Sequence, residues 1–331
     1  MNIRLLAFTD RGHSLAQRLA GELGGEAARC GGSPGLEVWT ASAWRTSEAL
    51  VFVGAAGIAV RAIAPHVRHK AVDPAVVVVD EGGHFAVPIL SGHLGGANDL
   101  ARRIAALCGA EPVITTATDV RQLFAIDEWA RRQGCRVRNP AAIRRVSSKV
   151  LSGEKIGIYS PWPITGKAPE ETFLTTPEGC DALLSIHREK GDVLHLVPAI
   201  AVLGVGCKRG TSQTALENAF STLLESAGLD PLAFCGVCSV DLKEKEPGLL
   251  AFCKAHGFAF KTFSAQALQA VEGTFSSSEF VRSVTGADNV CERSAVLGSG
   301  GELLVKKQTG DGVTVAAALV PFSPDWRWRN E

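Results

Sequence analysis

The stretch DPAVVVVDEGGHFAVPILSGHLGGANDLARRIAALCG, residues 73–109, decides the fold class. AVVVVD is a continuous apolar run rather than an alternating one, as expected of a strand buried on both faces in a parallel sheet between helix layers. The turn SGHLGGAND then packs Gly92, Gly95 and Gly96 around His93 and opens ANDLARRIAALC. That segment is apolar at helical spacing and stops at Gly109, a normal C-terminal signal.

The same rhythm extends in both directions. NIRLLAFT leads to the helical HSLAQRLAGEL, and ALVFVGA leads to GIAVRAIAPHV. PVITTA reads as a further short strand and LFAIDEWARRQG as a helix. From residue 200 the pattern resumes: AIAVLGVGC as a strand, KRGTS as a turn and QTALENAFSTLLESAG as an amphipathic helix. FCGVCSVDL and FAFKTFS follow as strands around the helix PGLLAFCKAHG, and GELLVKKQTGDGVTVAAAL reads as a hairpin turning at TGDG. The segment between, rich in Pro, Gly and Thr in ITGKAPEETFLTTPEG, reads as a helix, a turn, a strand and loops. The expected class is α/β: two layered modules with mainly parallel sheets, residues 1–138 and 199–331, joined by a small middle module or linker, 139–198.

Composition narrows the function. The 331 residues are 46% hydrophobic and 21% charged, with 34 basic and 34 acidic side chains and a formal net charge of +0. A global field that collects nucleic acid or membrane is absent, so anion binding must come from local arrangement. Aromatics are 6%, too few for base-stacking surfaces. The apolar run at the N-terminus is too short for a signal-peptide core, and no run approaches the ~18 residues of a membrane span. The nine cysteines therefore read as reduced thiols in the cytoplasm. Cys235 and Cys238 form a C-x-x-C, but within a strand pattern and with no second pair at zinc-site spacing; no metal site is expected.

Three loops can carry chemistry. In GAAGIAVRAIAP, Gly57 and a helix start favour an anion, with Arg61 one turn inside; alternatively the glycines only allow tight packing. In DEGGHFAVPILSGHLGGAND, Asp80 and Glu81 follow the strongest strand, and His93 can exchange a proton near neutrality. Ser91, Gly92, Gly95, Gly96 and Asn98 surround it with hydrogen-bonding groups, though a lone histidine in a tight corner is often structural. In GVGCKRGTS, Gly206 and Gly210 free the backbone, Lys208 and Arg209 supply charge, and Thr211 and Ser212 cap the next helix, a credible carboxylate or phosphate clamp. Lys243 and Glu246 in VDLKEKEPGLL read on their own as a solvated loop, and Ser278 as a helix cap. The Ser-His-Asp ordering, H-E-x-x-H and the nucleotide-binding glycine fingerprints are missing.

Five of these segments, GAAGIAVRAIAP, DPAVVVVDEGGHFAVPILSGHLGGANDLA, GVGCKRGTS, VDLKEKEPGLLAF and GELLVKKQTGDGVTVA, together and in this order resemble the CbiG family of the anaerobic cobalamin pathway. The likeness runs from about residue 45 to 319, is weakest in the middle, and makes the C-terminal module similar to the stand-alone protein CobE. It implies opening of the ring-A δ-lactone of cobalt-precorrin-5A and release of the extruded two-carbon unit as acetaldehyde. It implies no cofactor and no resident metal, because cobalt arrives with the tetrapyrrole substrate. It leaves room for a homodimer and for contacts with neighbouring pathway enzymes. On this reading the macrocycle sits between the two α/β modules. Lys208, Arg209, Thr211 and Ser212 hold its carboxylates on one side, and Arg61 and the Gly95–Gly96 helix start hold them on the other; Gly57, Ser91, Gly92, Asn98, Gly206, Gly210, Lys243, Glu246 and Ser278 complete the expected substrate-binding set. His93 is the base, assisted by Glu81 or Asp80, with glycine-turn N–H groups as oxyanion donors. The rival from another class is a non-catalytic tetrapyrrole carrier; a nucleotide-dependent enzyme is the third reading.

Overall fold

The computed structural model describes residues 1–69, 72–189 and 191–328. These residues form three sheets. The first runs β1 (Ile3–Ala7), β2 (Glu26–Arg29), β3 (Ala49–Val53), β4 (Ala75–Val79), β5 (Phe85–Leu90) and β6 (Glu111–Pro112), in the spatial order β2-β1-β3-β4-β5-β6. β1 to β4 are parallel, and every residue of β3 and β4 is buried. Helices cover both faces, which is why these strands read as unbroken apolar runs. Asp10–Leu23 and Ala97–Cys108 pack on one face; Leu36–Thr46 and Ala56–Ile63 pack on the other. Each valine of β4 buried this way contributes about 1.5–3 kcal/mol. Of PVITTA only Pro112 enters a strand, the two-residue β6: Ile114 turns back to donate to the Pro112 carbonyl, ending the strand.

β5 reverses direction. The turn Asp80–His84 lays it antiparallel on β4, with Val79 opposite Ala86 and Val76 opposite Leu90. This one reversal decides where His93 lies.

The middle segment is a module in its own right. Its sheet comprises β7 (Cys135–Val137), β8 (Ile156–Tyr159), β9 (Thr172–Leu174), β10 (Ala182–Leu184) and β11 (Leu194–Pro198), in the order β7-β11-β10-β8-β9. Its core reaches outside 139–198 at both ends. Phe124, Ile126 and Trp129 enter from before it, and Trp326 returns from the C-terminus to stack on Trp129 at 5.5 Å. The Trp129 indole N–H donates to the Asp325 carbonyl at 2.7 Å. An apolar helix face and two tryptophans that local periodicity assigned to the flanking modules complete this core.

The third sheet holds β12 (Ala201–Cys207), β13 (Phe234–Val240), β14 (Ala259–Phe263), β15 (Glu302–Gly310) and β16 (Val313–Leu319), in the order β14-β13-β12-β16-β15. The β15–β16 hairpin turns at TGDG, and positive φ falls on Asp311 (50°) and Gly312 (75°). The helix Cys291–Ser299 lies directly on β12. A Cβ at Gly204 would sit 1.8 Å from the Cys291 carbonyl, so only glycine allows that approach. Cys235 and Cys238 lie in β13; both are free thiols, and burial pushes Cys238 up to about 12.

Candidate functional site

The first sheet separates the sequence-chosen residues into two groups. At its carboxyl edge lie Gly57 and Arg61, on the helix after β3, and Asp80 and Glu81, after β4. At its amino edge, beyond the end of β5, lie Ser91, Gly92, His93, Gly95, Gly96 and Asn98. A five-residue strand at ~3.3 Å per residue separates the two edges by roughly 16 Å. Asp80 and Glu81 therefore cannot assist His93, and Arg61 cannot share a clamp with the Gly95–Gly96 helix start.

Asp80 is committed to its turn. It accepts from the N–H groups of Gly82, His84 and Phe85 at 2.7–3.0 Å and meets His84 Nδ1 at 2.9 Å. Partial burial opposes ionisation, but these bonds outweigh it and hold the carboxyl below its usual value. Glu81 is different. It is exposed, and one oxygen accepts from Thr9 Oγ1 at 2.7 Å. Thr9 also caps the first helix by accepting from Gly12 N–H. An exposed carboxylate is thus fixed at the edge where parallel sheets bind ligands.

His93 lies within a buried charge cluster at the junction with the middle module. Its Nε2 meets Asp119 at 2.8 Å, and its Nδ1 meets Asp127 at 3.2 Å. Burial alone would lower the ring's pKa, but these two carboxylates hold it up at about 10. An imidazolium with both nitrogens engaged is not a general base at neutral pH. Asp119 also accepts from Thr116, Asn98 and Arg102, and is held well below the carboxylate range despite its burial. Arg131 and Arg132, from the middle module's first helix, reach back to Asp99. Part of the glycine turn's donor capacity is committed locally. The N–H groups of Gly96, Ala97 and Asn98 already donate to the carbonyls of His93, Ser91 and Gly92. Ser91 Oγ donates to the Asp73 carbonyl, closing the corner.

The third loop assembles as one unit at the carboxyl edge of the third sheet. Lys208, Arg209, Gly210 and Ser212 are exposed between β12 and the helix Gln213–Ala227. Ser212 caps that helix by accepting from Ala215 N–H, and Thr211 Oγ donates to the Lys208 carbonyl. Glu246 is buried beneath the loop and accepts from Gly210 N–H at 2.8 Å and Lys243 Nζ at 3.1 Å. Burial opposes its ionisation, yet these two partners keep its pKa below the usual value. Lys243 and Glu246 are therefore the loop's support, not a solvated charge run. A Cβ at Gly248 would meet the Thr211 carbonyl at 2.0 Å, so the next helix start seats directly against the loop. Gly206 lies beside Val290 and Thr314. Ser278 caps the helix Glu279–Thr285, and its neighbour Ser276 donates through both N–H and Oγ to the buried Glu292.

Sequence reasoning missed the charge cluster around His93. Asp119, Asp127, Glu128, Arg131 and Arg132 stand 26 to 39 residues downstream, and only the fold brings them together. The one local signal was the helix IDEWARR, which places two acids and two arginines a turn apart. It missed Thr9 for the same reason. A cavity of about 540 Å³ also opens over the middle sheet, floored by the cross-strand row Tyr159, Leu183 and His195; none of the chosen residues line it.

Comparison with known proteins identifies the lineage. The chain matches Cobalamin synthesis G N-terminal over residues 38–119, Cobalamin biosynthesis central region over 124–182 and Cobalamin synthesis G C-terminus over 201–318. It is 38% identical to the cobalt-precorrin-5A hydrolase of Salmonella typhimurium (strain LT2), across 96% of this chain and 97% of that one. Against the cobalt-precorrin-5A hydrolase of Priestia megaterium it is 32% identical, covering 85% and 81%. Protein CobE of Sinorhizobium sp matches 35% of this chain at 32% identity, over 78% of its own length. Among the described residues no helix is long and apolar enough to cross a membrane. The chain belongs to the cobalamin synthesis G family, together with the cobalt-precorrin-5A hydrolases it resembles along nearly all its length.

Proposed function

We propose that this chain is a cobalt-precorrin-5A hydrolase. It opens the ring-A δ-lactone of the cobalt-containing tetrapyrrole and then breaks a carbon–carbon bond to release acetaldehyde, leaving cobalt-precorrin-5B. The observation that carries the reading is 38% identity along 96% of this chain to a protein of that name, with the cationic loop present here. The substrate is a polycarboxylate, and Lys208, Arg209 and the capped helix start of Gln213–Ala227 suit its carboxylates. Cobalt is part of the substrate, so the chemistry calls for no further cofactor.

Water must be activated for lactone opening. Glu81 takes this role better than His93, being an exposed carboxylate with a fixed neighbour at a ligand-binding sheet edge. Its proton acceptance would serve again at the hydroxyl freed by lactone opening, from which carbon–carbon cleavage proceeds as a retro-aldol step with the macrocycle as electron sink. His93 becomes a structural cation. The deciding experiment is acetaldehyde release from cobalt-precorrin-5A under anaerobic conditions, with purified protein and no added cofactor. Aldehyde stoichiometric with substrate loss establishes the hydrolase. Tight binding without mass change sinks it in favour of a carrier. Glu81→Gln should lower kcat at least a hundredfold, and unchanged turnover would remove Glu81 from the mechanism.

A further inference from the structure

Among the described residues one group of histidine and carboxylate atoms is close enough to share an ion. His93, Asp119 and Glu128 each offer a ligand atom within 4.8 Å of the other two. The second observation is Glu128 itself. Its side chain is 1% exposed, and among the described residues neither oxygen has a hydrogen-bond partner. The arginines nearest to it, Arg132 at 3.5 Å and Arg102 at 3.9 Å, stand at ion-pair rather than hydrogen-bond range. Glu292 shows what a satisfied buried acid looks like in this protein. It is equally buried and accepts from Ser276 N–H and Oγ, Asn289 Nδ2 and Lys307 N–H. A buried carboxylate without such partners needs an explanation, and an ion is one of the few available.

We propose that His93, Asp119 and Glu128 bind a divalent transition-metal ion that ties the N-terminal module to the middle module. His93 and Asp119 precede the middle core, and Glu128 stands on its first helix, beside the core residue Trp129. The ion takes the place of the proton between His93 Nε2 and Asp119 Oδ2, and that proton leaves to solvent. The outer contacts suit this arrangement. Asp127 holds the other ring nitrogen, fixing the tautomer, and Thr116, Asn98 and Arg102 hold Asp119. One imidazole and two carboxylates favour zinc, cobalt, iron or manganese over calcium, which wants six to eight oxygens. The charge count permits the exchange. Asp99, Asp119, Asp127 and Glu128 face Arg102, Arg131 and Arg132. With a neutral imidazole this leaves one negative charge in excess, which a dication turns into one positive charge beside partly exposed arginines.

The test needs no substrate. The full chain is stripped with a chelator and titrated with zinc chloride in a calorimeter, and with cobalt(II) chloride followed by absorption. One ion per chain is expected, with a raised Tm and a cobalt spectrum free of thiolate charge transfer. Glu128→Gln should weaken binding at least tenfold, following the loss of one of three ligands. Failure of the wild type to bind, equal binding by the variant, or thiolate ligation by any of the nine cysteines overturns the proposal. If the variant folds poorly, zinc-edge X-ray absorption on the wild type decides: imidazole with oxygen supports the site, and sulfur rejects it.

Discussion

The turn around His93 and the loop after β12 share their ingredients: glycines, a titratable or charged side chain and a helix start. One is a closed charge cluster between two modules and the other an open cationic rim. The difference comes from strand direction. β12 runs parallel to β13, so its following loop emerges at the carboxyl edge where helix starts converge. β5 runs antiparallel to β4, so its following turn emerges at the amino edge and meets the middle module. Backbone N–H groups at the first turn close on local carbonyls, and its histidine closes on two aspartates. At the second loop the cations stay exposed, and the buried Glu246 holds the loop from below.

Substitution should separate the two turns most sharply on stability. His93→Asn leaves Asp119 and Asp127 without their shared cation, and breaking a buried pair from one side costs about 3–5 kcal/mol. Urea unfolding should show that loss, whereas Lys208→Ala with Arg209→Ala should move stability by no more than about 0.5 kcal/mol per site. Equal destabilisation by the two would break the comparison. On function the order reverses. Removing both cations should weaken tetrapyrrole binding about tenfold to a hundredfold, on the scale of charge-assisted hydrogen bonds, with kcat nearly unchanged. Retained affinity with reduced kcat would instead place the loop at the reacting centre.

Acidity sharpens the contrast further. His93 is raised from 6.5 to about 10, so its contribution to stability is complete below pH 6.5 and is lost as pH rises through 10. Glu128, pushed up from 4.5 to about 7 first by burial and then by Asp99, has the same sign: its contribution is complete below 4.5 and lost through 7. Asp119 has the opposite sign, and its contribution disappears only in strong acid. In metal-free buffer the Tm should therefore fall by several degrees between pH 6 and 10. In His93→Asn the slope above pH 7 should flatten. A Tm that rises over this range in the wild type would contradict the cluster's geometry.

Much of this architecture was legible because it is local. Unbroken runs such as Val76–Val79 report burial on both faces, and Gly109 and Gly228 mark helix ends with left-handed φ. The cationic loop was legible too, since Lys208 to Ser212 are contiguous. What local pattern could not show was direction and distance. Nothing in HFAVPIL says whether β5 runs with β4 or against it, and that choice alone moves His93 away from Asp80 and Glu81. Trp326 gives no local sign that it completes a core begun at Phe124. Thr9 holds Glu81 across 72 residues. The KEKE run read as solvated because the partner of its buried Glu246, Gly210 N–H, lies 36 residues away.

The smallest effect to be sought separates the glycines themselves. Gly95 has ordinary φ but no room: a Cβ there would lie 2.4 Å from Ser91 Cβ and 2.8 Å from its carbonyl oxygen. Gly210 has room but a φ of +75°, which an L-residue adopts at a cost of about 1–2 kcal/mol. Gly95→Ala should therefore destabilise by crowding, about 1–3 kcal/mol, and disturb the seating of the helix Ala97–Cys108. Gly210→Ala should cost backbone strain alone, which Gly210→Asn partly recovers because asparagine tolerates left-handed φ. Chemical denaturation of these three variants and of Gly95→Asn distinguishes the causes. Recovery by asparagine at position 210 and none at position 95 is the expected pattern. Recovery at both positions would mean that the turn around His93 is strained rather than crowded, and that its closure is a property of the backbone more than of the charges packed behind it.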